Sequence, residues 1–232
     1  MEETGKNPIQ VAERLFQVIE RLAENGPMGI MDLSAELGFH KSTTHRLVTS
    51  LQYMGYIRQD EESLKYALSL KFLEIGSKIL EQTNMASLIH PSLKKLSEQT
   101  GETVHLVRRE GTEAVYIDKV ESTVSSIRMV SRVGSRIPLY CSGVGKALLA
   151  ELPDPEIEDI WNSSEITPLT PYTVTSLSDL MDRIRGVREA GYAMDDEENE
   201  EGVRCIAVSI PDYHKEPVYA LSISAPVSRM TD

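Results

Sequence analysis

The stretch Ile30–Leu51, IMDLSAELGFHKSTTHRLVTSL, constrains this chain more than any other. It reads as two short helices joined by a tight turn at Gly38, which permits the left-handed backbone of a helix C-cap. The second helix carries small polar and basic residues on one side and aliphatic residues on the other. That is the composition of a helix-turn-helix that enters the major groove of DNA.

The flanks extend this reading. Ala12, Leu15, Phe16, Ile19, Leu22 and Ala23 recur at helical spacing. That helix is expected to start near Pro8 and to stop at Asn25-Gly26-Pro27. A second helix is expected over about Asp32–Leu37 and a third over about Lys41–Met54, with Leu47, Val48, Leu51 and Met54 buried. Gly55–Gln59 and Leu64–Leu68 read as strands around an Asp60–Ser63 turn. Three helices and a hairpin make a winged helix-turn-helix, here residues 1–68. Residues 69–83 are expected to form a linker helix with Phe72, Leu73, Ile79 and Leu80 on one face, which something outside the helix must cover.

The remainder, 84–232, changes character. Asn84–Thr100 reads as two helical pieces or one helix kinked at Pro91. From Glu102 the apolar period becomes two. Strands are expected at Thr103–Val107, Ala114–Val120, Ser126–Val130, Tyr192–Asp195, Arg204–Ile210 and Tyr219–Ser224, with helices near Pro155–Asn162 and Leu177–Gly191. Cys141-Ser142-Gly143-Val144-Gly145 reads as a loop opening a helix near Lys146. Adjacent hairpins among helices indicate an α+β fold with a mostly antiparallel sheet.

Composition narrows the function. No window approaches the roughly 18 apolar residues of a membrane span, and the polar N-terminus has no signal-peptide core. A cytoplasmic protein without a membrane partner is expected. Two cysteines, Cys141 and Cys205, make neither a disulfide framework nor a metal-type spacing, and no cofactor is expected. A net charge of −12 argues against nucleic acid until its distribution is considered. Residues 37–59 contain no acid but hold Lys41, Arg46, Arg58, His40 and His45. The acid gathers in Asp195–Glu198, Glu200 and Glu201. A basic face on an acidic body fits a DNA-binding module, although charge alone fits a solvated helix surface equally well.

Particular residues carry the DNA reading. Ser42, Thr43 and Arg46 lie near the start of the third helix on its polar side, where Arg46 can address guanine O6 and N7 or a phosphate. Lys41, His40 and His45 are expected beside phosphates, and Arg58 and Lys65 of the hairpin against the flanking backbone. Thr43 or Thr44 can instead be a packing residue. In the second half, Gly143 and Gly145 open a helix whose first N–H groups can hold an anion, with glycine letting a ligand approach. Glycines there for tight packing are as good an explanation from the residues alone. The spacing is not a dinucleotide fingerprint.

Two sets of segments match a known family. DLSAELGFHKSTTHRLVTSLQYMGYI and YALSLKFLEIGS form the first. LSEQTGETVHL, VGSRIPLYCSGVGKALLA, GYAMDDEENEEGVRCIAVSIPD and ALSISAP form the second, which is the more specific. Over essentially its full length the chain resembles the IclR family of bacterial transcription regulators. The resemblance implies a winged helix, a linker helix and a C-terminal effector-binding domain similar to GAF domains. It also implies a homodimer, or dimer of dimers, on palindromic double-stranded operator DNA. It implies a small organic acid held by the Gly143 and Val144 amides, with polar contacts from Asp195, Cys205, Ser222 and Ser224 and apolar walls from Met129, Ile137 and Val203. Repression is the expected sense of control. Glu197, Glu198, Glu200 and Glu201 are expected on a solvated face. The competing reading is a small-molecule enzyme using Cys205 as nucleophile, with the N-terminal helices as a dimer module. Zinc on Asp195, Cys205 and a histidine has no support from spacing.

Overall fold

In a computed structural model the chain divides into two compact units, residues 1–82 and 83–232. The structure describes residues 8–82, 84–122, 131–211 and 216–231. The strand expected at Ser126–Val130, and Met129 with it, lie outside the described residues.

The first unit contains α1 (Gln10–Asn25), α2 (Ile30–Leu37), α3 (Lys41–Tyr53), the hairpin β1 (Ile57–Gln59) and β2 (Tyr66–Leu68), and α4 (Lys71–Gln82). Its core is Val18, Leu22, Met28, Leu33, Leu47, Val48, Leu51, Ile57 and Tyr66. Burying an aliphatic side chain of this kind contributes about 1.5–3 kcal/mol, so this small set is what fixes the three helices together. Gly38, at φ 65°, closes α2 by donating its N–H to Ala35 and Ser34 carbonyls. In the hairpin, Asp60 Oδ1 accepts from the Ser63 N–H at 2.8 Å and from its hydroxyl at 2.7 Å.

Several sequence expectations need correction here. α1 starts at Gln10 behind an Ile9 cap, so Pro8 stands outside the helix. Its inward face centres on Val18 and Leu22, while Phe16 is 61% exposed. Val18, outside the expected stripe, is fully buried, while Phe16 and Ala23 within it are exposed, because only the residues aimed at the core of the bundle are covered. Met54 is an exposed C-cap of α3, and the fourth buried position of that helix is Thr44. On α4, Phe72 packs against Tyr56 with ring centroids 5.3 Å apart, whereas Leu73 and Ile79 stay exposed.

The second unit contains α5 (Asn84–Thr100), β3 (Thr103–Glu110), β4 (Glu113–Val120), β5 (Arg136–Pro138), α6 (Gly143–Ala150), α7 (Asp154–Ser163), α8 (Leu177–Ala190), β6 (Ala193–Asp196), β7 (Val203–Ile210) and β8 (Tyr219–Pro226). α5 is one continuous helix with Pro91 inside it. Among the described residues, six strands form one antiparallel sheet in the order β5-β4-β3-β8-β7-β6.

Both faces of this sheet are covered. On one, Leu93 of α5 packs with Val104 and Leu106. On the other, Val107, Ala114, Ala193, Ala207 and Ala220 meet α6 and α8 through Val144, Ala147, Leu148 and Ile184. Alanines on that second face let α6 lie close to the strands. Gly145 completes the approach, since a Cβ there would stand 2.2 Å from the Leu139 carbonyl oxygen. α6 starts at Gly143 rather than near Lys146. The reason is Ser142, whose hydroxyl accepts from the Gly145 N–H at 3.1 Å and caps the helix three residues earlier.

Candidate functional site

The polar side of α3 is open. Lys41, Ser42, His45 and Arg46 are exposed and Thr43 is half-buried. Thr44 is fully buried, its hydroxyl directed at the His40 carbonyl, and is the packing residue of the pair. His40 caps the helix through its carbonyl, which accepts from Thr43 and Thr44. The earlier N–H groups therefore stay available at the positive end of the helix dipole. Arg58 and Lys65 are exposed on the hairpin. A groove between α1 and α3 is lined by Arg14, Leu15, Thr43, Arg46, Leu47 and Ser50. Arg14, which the sequence reading did not single out, stands over the Phe39 ring at 5.4 Å.

The second unit holds a cavity of about 430 Å³. Sheet register assembles its floor. Asp195 on β6 faces Cys205 on β7, Cys205 faces Ser224 on β8, and Ser224 faces Thr103 on β3. Two residues along, Ala207 faces Ser222, and Ser222 faces His105. Residues opposite one another, and residues two apart, share a sheet face. The two rows therefore lie side by side beneath the N-terminus of α6.

The N–H groups of Gly143 and Val144, in the first turn of α6, have no carbonyl one turn back to bond. Both residues line the cavity, with Ile137 and Val203 as apolar wall. Ile137, Gly143, Val144, Asp195, Val203, Cys205, Ser222 and Ser224 are thus brought together. Sequence reasoning did not include His105, Tyr116, Ser131, Ser135, Arg136, Ser142, Asn199 and Glu200, which also line it. For His105 a signal existed: Thr103, His105 and Val107 alternate on β3 just as Ser222 and Ser224 do on β8.

Charge in the cavity is finely divided. Asp195 is buried, and its Oδ1 accepts from the N–H groups of Glu198 at 2.8 Å and Asn199 at 3.3 Å. Burial raises its pKa to about 6, against the opposing pull of the Lys146 ammonium. Lys146 and Glu198 are each 1% exposed and form an ion pair beside it. Glu198 is therefore no member of a solvated face, and Glu200 lines the cavity. The backbone turns at Glu197, with φ 62°, within a run whose buried members are Asp195 and Glu198.

His105 is also buried. Its Nε2 lies 2.8 Å from the Ser131 hydroxyl, and its Nδ1 lies 3.3 Å from that of Ser224 and 3.5 Å from that of Ser222. Burial, and then the nearby Lys119 charge, lower its pKa to about 3, so the ring is neutral. The Cys205 thiol donates to Ser224 Oγ at 3.0 Å, and burial together with the Asp195 charge pushes it up to about 12. A thiol held protonated is a poor nucleophile. Among the described residues no group of three or more His, Cys, Asp and Glu side chains is gathered to hold a metal ion, and no helix is long and apolar enough to cross a membrane.

These two arrangements have counterparts in known proteins. A profile for the IclR helix-turn-helix domain matches residues 11–61. Another, for the C-terminal part of the bacterial transcriptional regulator IclR, matches residues 77–232. The chain belongs to the IclR family. The acetate operon repressor of Salmonella typhimurium is 37% identical over 227 residues, covering 97% of this chain and 82% of that protein. The DNA-binding transcriptional repressor YiaJ of Escherichia coli is 40% identical over 221 residues, covering 94% and 78%. The crystal structure of IclR from Thermotoga maritima superposes with a TM-score of 0.79 at 33% identity, over 96% of this chain and 90% of that one. This IclR-family chain is accordingly a DNA-binding transcription regulator and not an enzyme. The competing assignment of Cys205 as a nucleophile is withdrawn.

Proposed function

We propose that this IclR-family regulator is a cytoplasmic repressor whose operator binding is controlled by a small organic acid in the second unit. The observation that carries the effector half is the position of Gly143 and Val144, first-turn residues of α6 whose N–H groups the helix itself does not bond. They open into a cavity floored by Asp195, Cys205, Ser222 and Ser224. A helix N-terminus binds a carboxylate through backbone dipoles without a dedicated cation. The repressor names of the acetate operon and YiaJ relatives support the sense of control.

On the DNA side, Lys41, Ser42, Thr43, His45 and Arg46 of α3 face the major groove, and Arg58 and Lys65 grip flanking phosphates. Residues 1–68 act as the winged helix-turn-helix, 69–83 as the linker and 84–232 as the effector domain. Self-association as a dimer or dimer of dimers is supported by apolar side chains left open on α1 and α4, among them Val11, Phe16, Leu73 and Ile79. An effector acts only through differential affinity for two arrangements of such an assembly.

Fluorescence anisotropy on a labelled operator tests this. A bound organic acid should change operator affinity by about 5–150-fold. Operator affinity that stays constant across a broad panel of organic acids, each shown by calorimetry to bind or not, refutes the control.

A further inference from the structure

The end of α3 is not completed by its own residues. Gly55, at φ 78°, turns the chain back on the helix. The Tyr56 N–H then donates to the Leu51 carbonyl and the Gly55 N–H to the Gln52 carbonyl, both at 2.9 Å. This Schellman arrangement leaves the Met54 carbonyl outside the helix ladder. The last turn of α3 also holds no basic residue to answer the negative end of the helix dipole.

The start of α4 supplies what is missing. The Lys71 ammonium donates to the Met54 carbonyl at 2.7 Å and stands over the Tyr56 ring, 4.2 Å from its centroid. It is both a C-terminal cation for α3 and a cation–π partner for the turn that follows. The Ser69 hydroxyl donates to the Gly55 carbonyl at 2.6 Å and accepts from the Lys71 N–H at 3.2 Å. The Ser69 N–H donates to the Tyr56 carbonyl at 2.9 Å. Phe72 completes the set against the Tyr56 ring. Ser69, Lys71 and Phe72 therefore hold three consecutive residues at the end of α3, all within the first unit. The hydrogen bonds fix how closely the two helix ends approach, and the paired rings resist twisting about that contact. The direction of α3 and the direction of α4 become one quantity rather than two.

Two kinds of DNA binding respond differently to such a joint. Non-specific binding is electrostatic and follows the number of phosphates neutralised. Base readout depends on hydrogen-bond geometry in the major groove. A tilt of α3 spoils the second and leaves the first in place.

We propose that Lys71 is a positioning residue for operator binding. It locks the end of α3 to α4 and so aims α3 at the bases, without touching DNA itself. This rests on the reading of α3 as the helix that enters the major groove.

The test uses the full chain with two DNA probes followed by fluorescence anisotropy: a duplex selected by the wild-type protein from a random-sequence pool, and an unselected duplex of equal length and composition. Lys71→Met keeps the length of the side chain and removes its charge and its donors. It should weaken binding to the selected duplex about tenfold, the cost of roughly one mismatched base pair, and change the unselected one by less than about twofold. The slope of log affinity against log salt should stay the same. Lys71→Arg, which keeps the charge and the ring contact, should recover most of the loss. Ser69→Ala removes the hydroxyl bridge, should show the same selective loss, and keeps the test decisive if Lys71→Met unfolds. Equal weakening of both duplexes with a slope smaller by about 0.9 would make Lys71 a phosphate contact. Equal weakening with an unchanged slope would make it a stabilising residue alone. Either result overturns the proposal, and so does the absence of any loss. Arg46→Ala separates this proposal from the reading beneath it. If that variant weakens the selected duplex and Lys71→Met does not, only the joint fails; if it leaves the selected duplex unaffected, the assignment of α3 fails as well.

Discussion

Replacing Asp195 by Asn should stabilise the second unit, and do so more at high pH than at low. Asp195 is 3% exposed. Its Oδ1 accepts two backbone N–H groups, which an amide oxygen can also accept. Burial carries its pKa from an ordinary 3.8 to about 6. Each tenfold change in proton affinity is worth about 1.4 kcal/mol, so this displacement amounts to about 3 kcal/mol. The folded pKa is raised, so the stability that protonation confers is fully present below about pH 4 and is lost as pH rises through 6. At pH 8 the folded unit carries the whole burden; by pH 5 about half has been recovered. Asn removes the charge at every pH. Its expected advantage is about 3 kcal/mol at pH 8 and about 1.5 kcal/mol at pH 5, the former corresponding to roughly 6–12 °C in Tm. Trp161, the chain's only tryptophan, packs on the core of this unit and reports its urea unfolding by fluorescence. An advantage that is the same at both pH values, or an Asn variant less stable at pH 8, would refute the account of Asp195 as a carboxylate held against its burial cost.

Other outcomes follow from named contacts. Gly145→Ala places a Cβ 2.2 Å from the Leu139 carbonyl oxygen and should cost about 1–3 kcal/mol or more in the same urea assay; a neutral effect would mean that α6 is free to move outward. Among the described residues, Lys146→Met leaves the buried Glu198 carboxylate, whose Oε2 has no hydrogen-bond partner, with only the half-exposed Arg183 at 4.0 Å as a cation partner. It should cost about 3–5 kcal/mol, most of it recovered in the double variant Lys146→Met with Glu198→Leu; additive losses in that cycle would contradict a coupled pair. Arg46→Ala should weaken operator binding by about 1–3 kcal/mol in a gel shift, and unchanged affinity would remove Arg46 from the interface.

The sequence carried the helix-turn-helix because its signals are local: Gly38 as an αL cap, and Leu47, Val48 and Leu51 at helical spacing. The strands of the second unit were legible from alternation, and so were Ser222 and Ser224 as a pair on one face. Register was not legible. Nothing in the linear order says that Ser222 stands opposite His105 and Ser224 opposite Cys205, and these pairings made the histidine part of the cavity. Of the two explanations open for Gly145, ligand approach and tight packing, the structure selects packing, against the backbone of Leu139. Burial of charge was the other blind spot. Glu198 belongs to a run whose composition predicts solvent, yet the turn at Glu197, tied by Asp195, Thr170 and Thr173, brings it to Lys146.

If the effector is the organic acid proposed above, that turn bears on how an acidic chain receives it. Lys146, beside Asp195, is buried and paired with Glu198. Arg136 at the rim is engaged by Glu110 and Glu113. What α6 offers a carboxylate is its peptide N–H array, which acts over a few ångströms, with Asp195 poised to give up its charge by taking a proton. With a net charge of −12 on the chain, long-range steering would repel the ligand rather than gather it. Recognition in such a site has to come from short-range contact with the residues that line it.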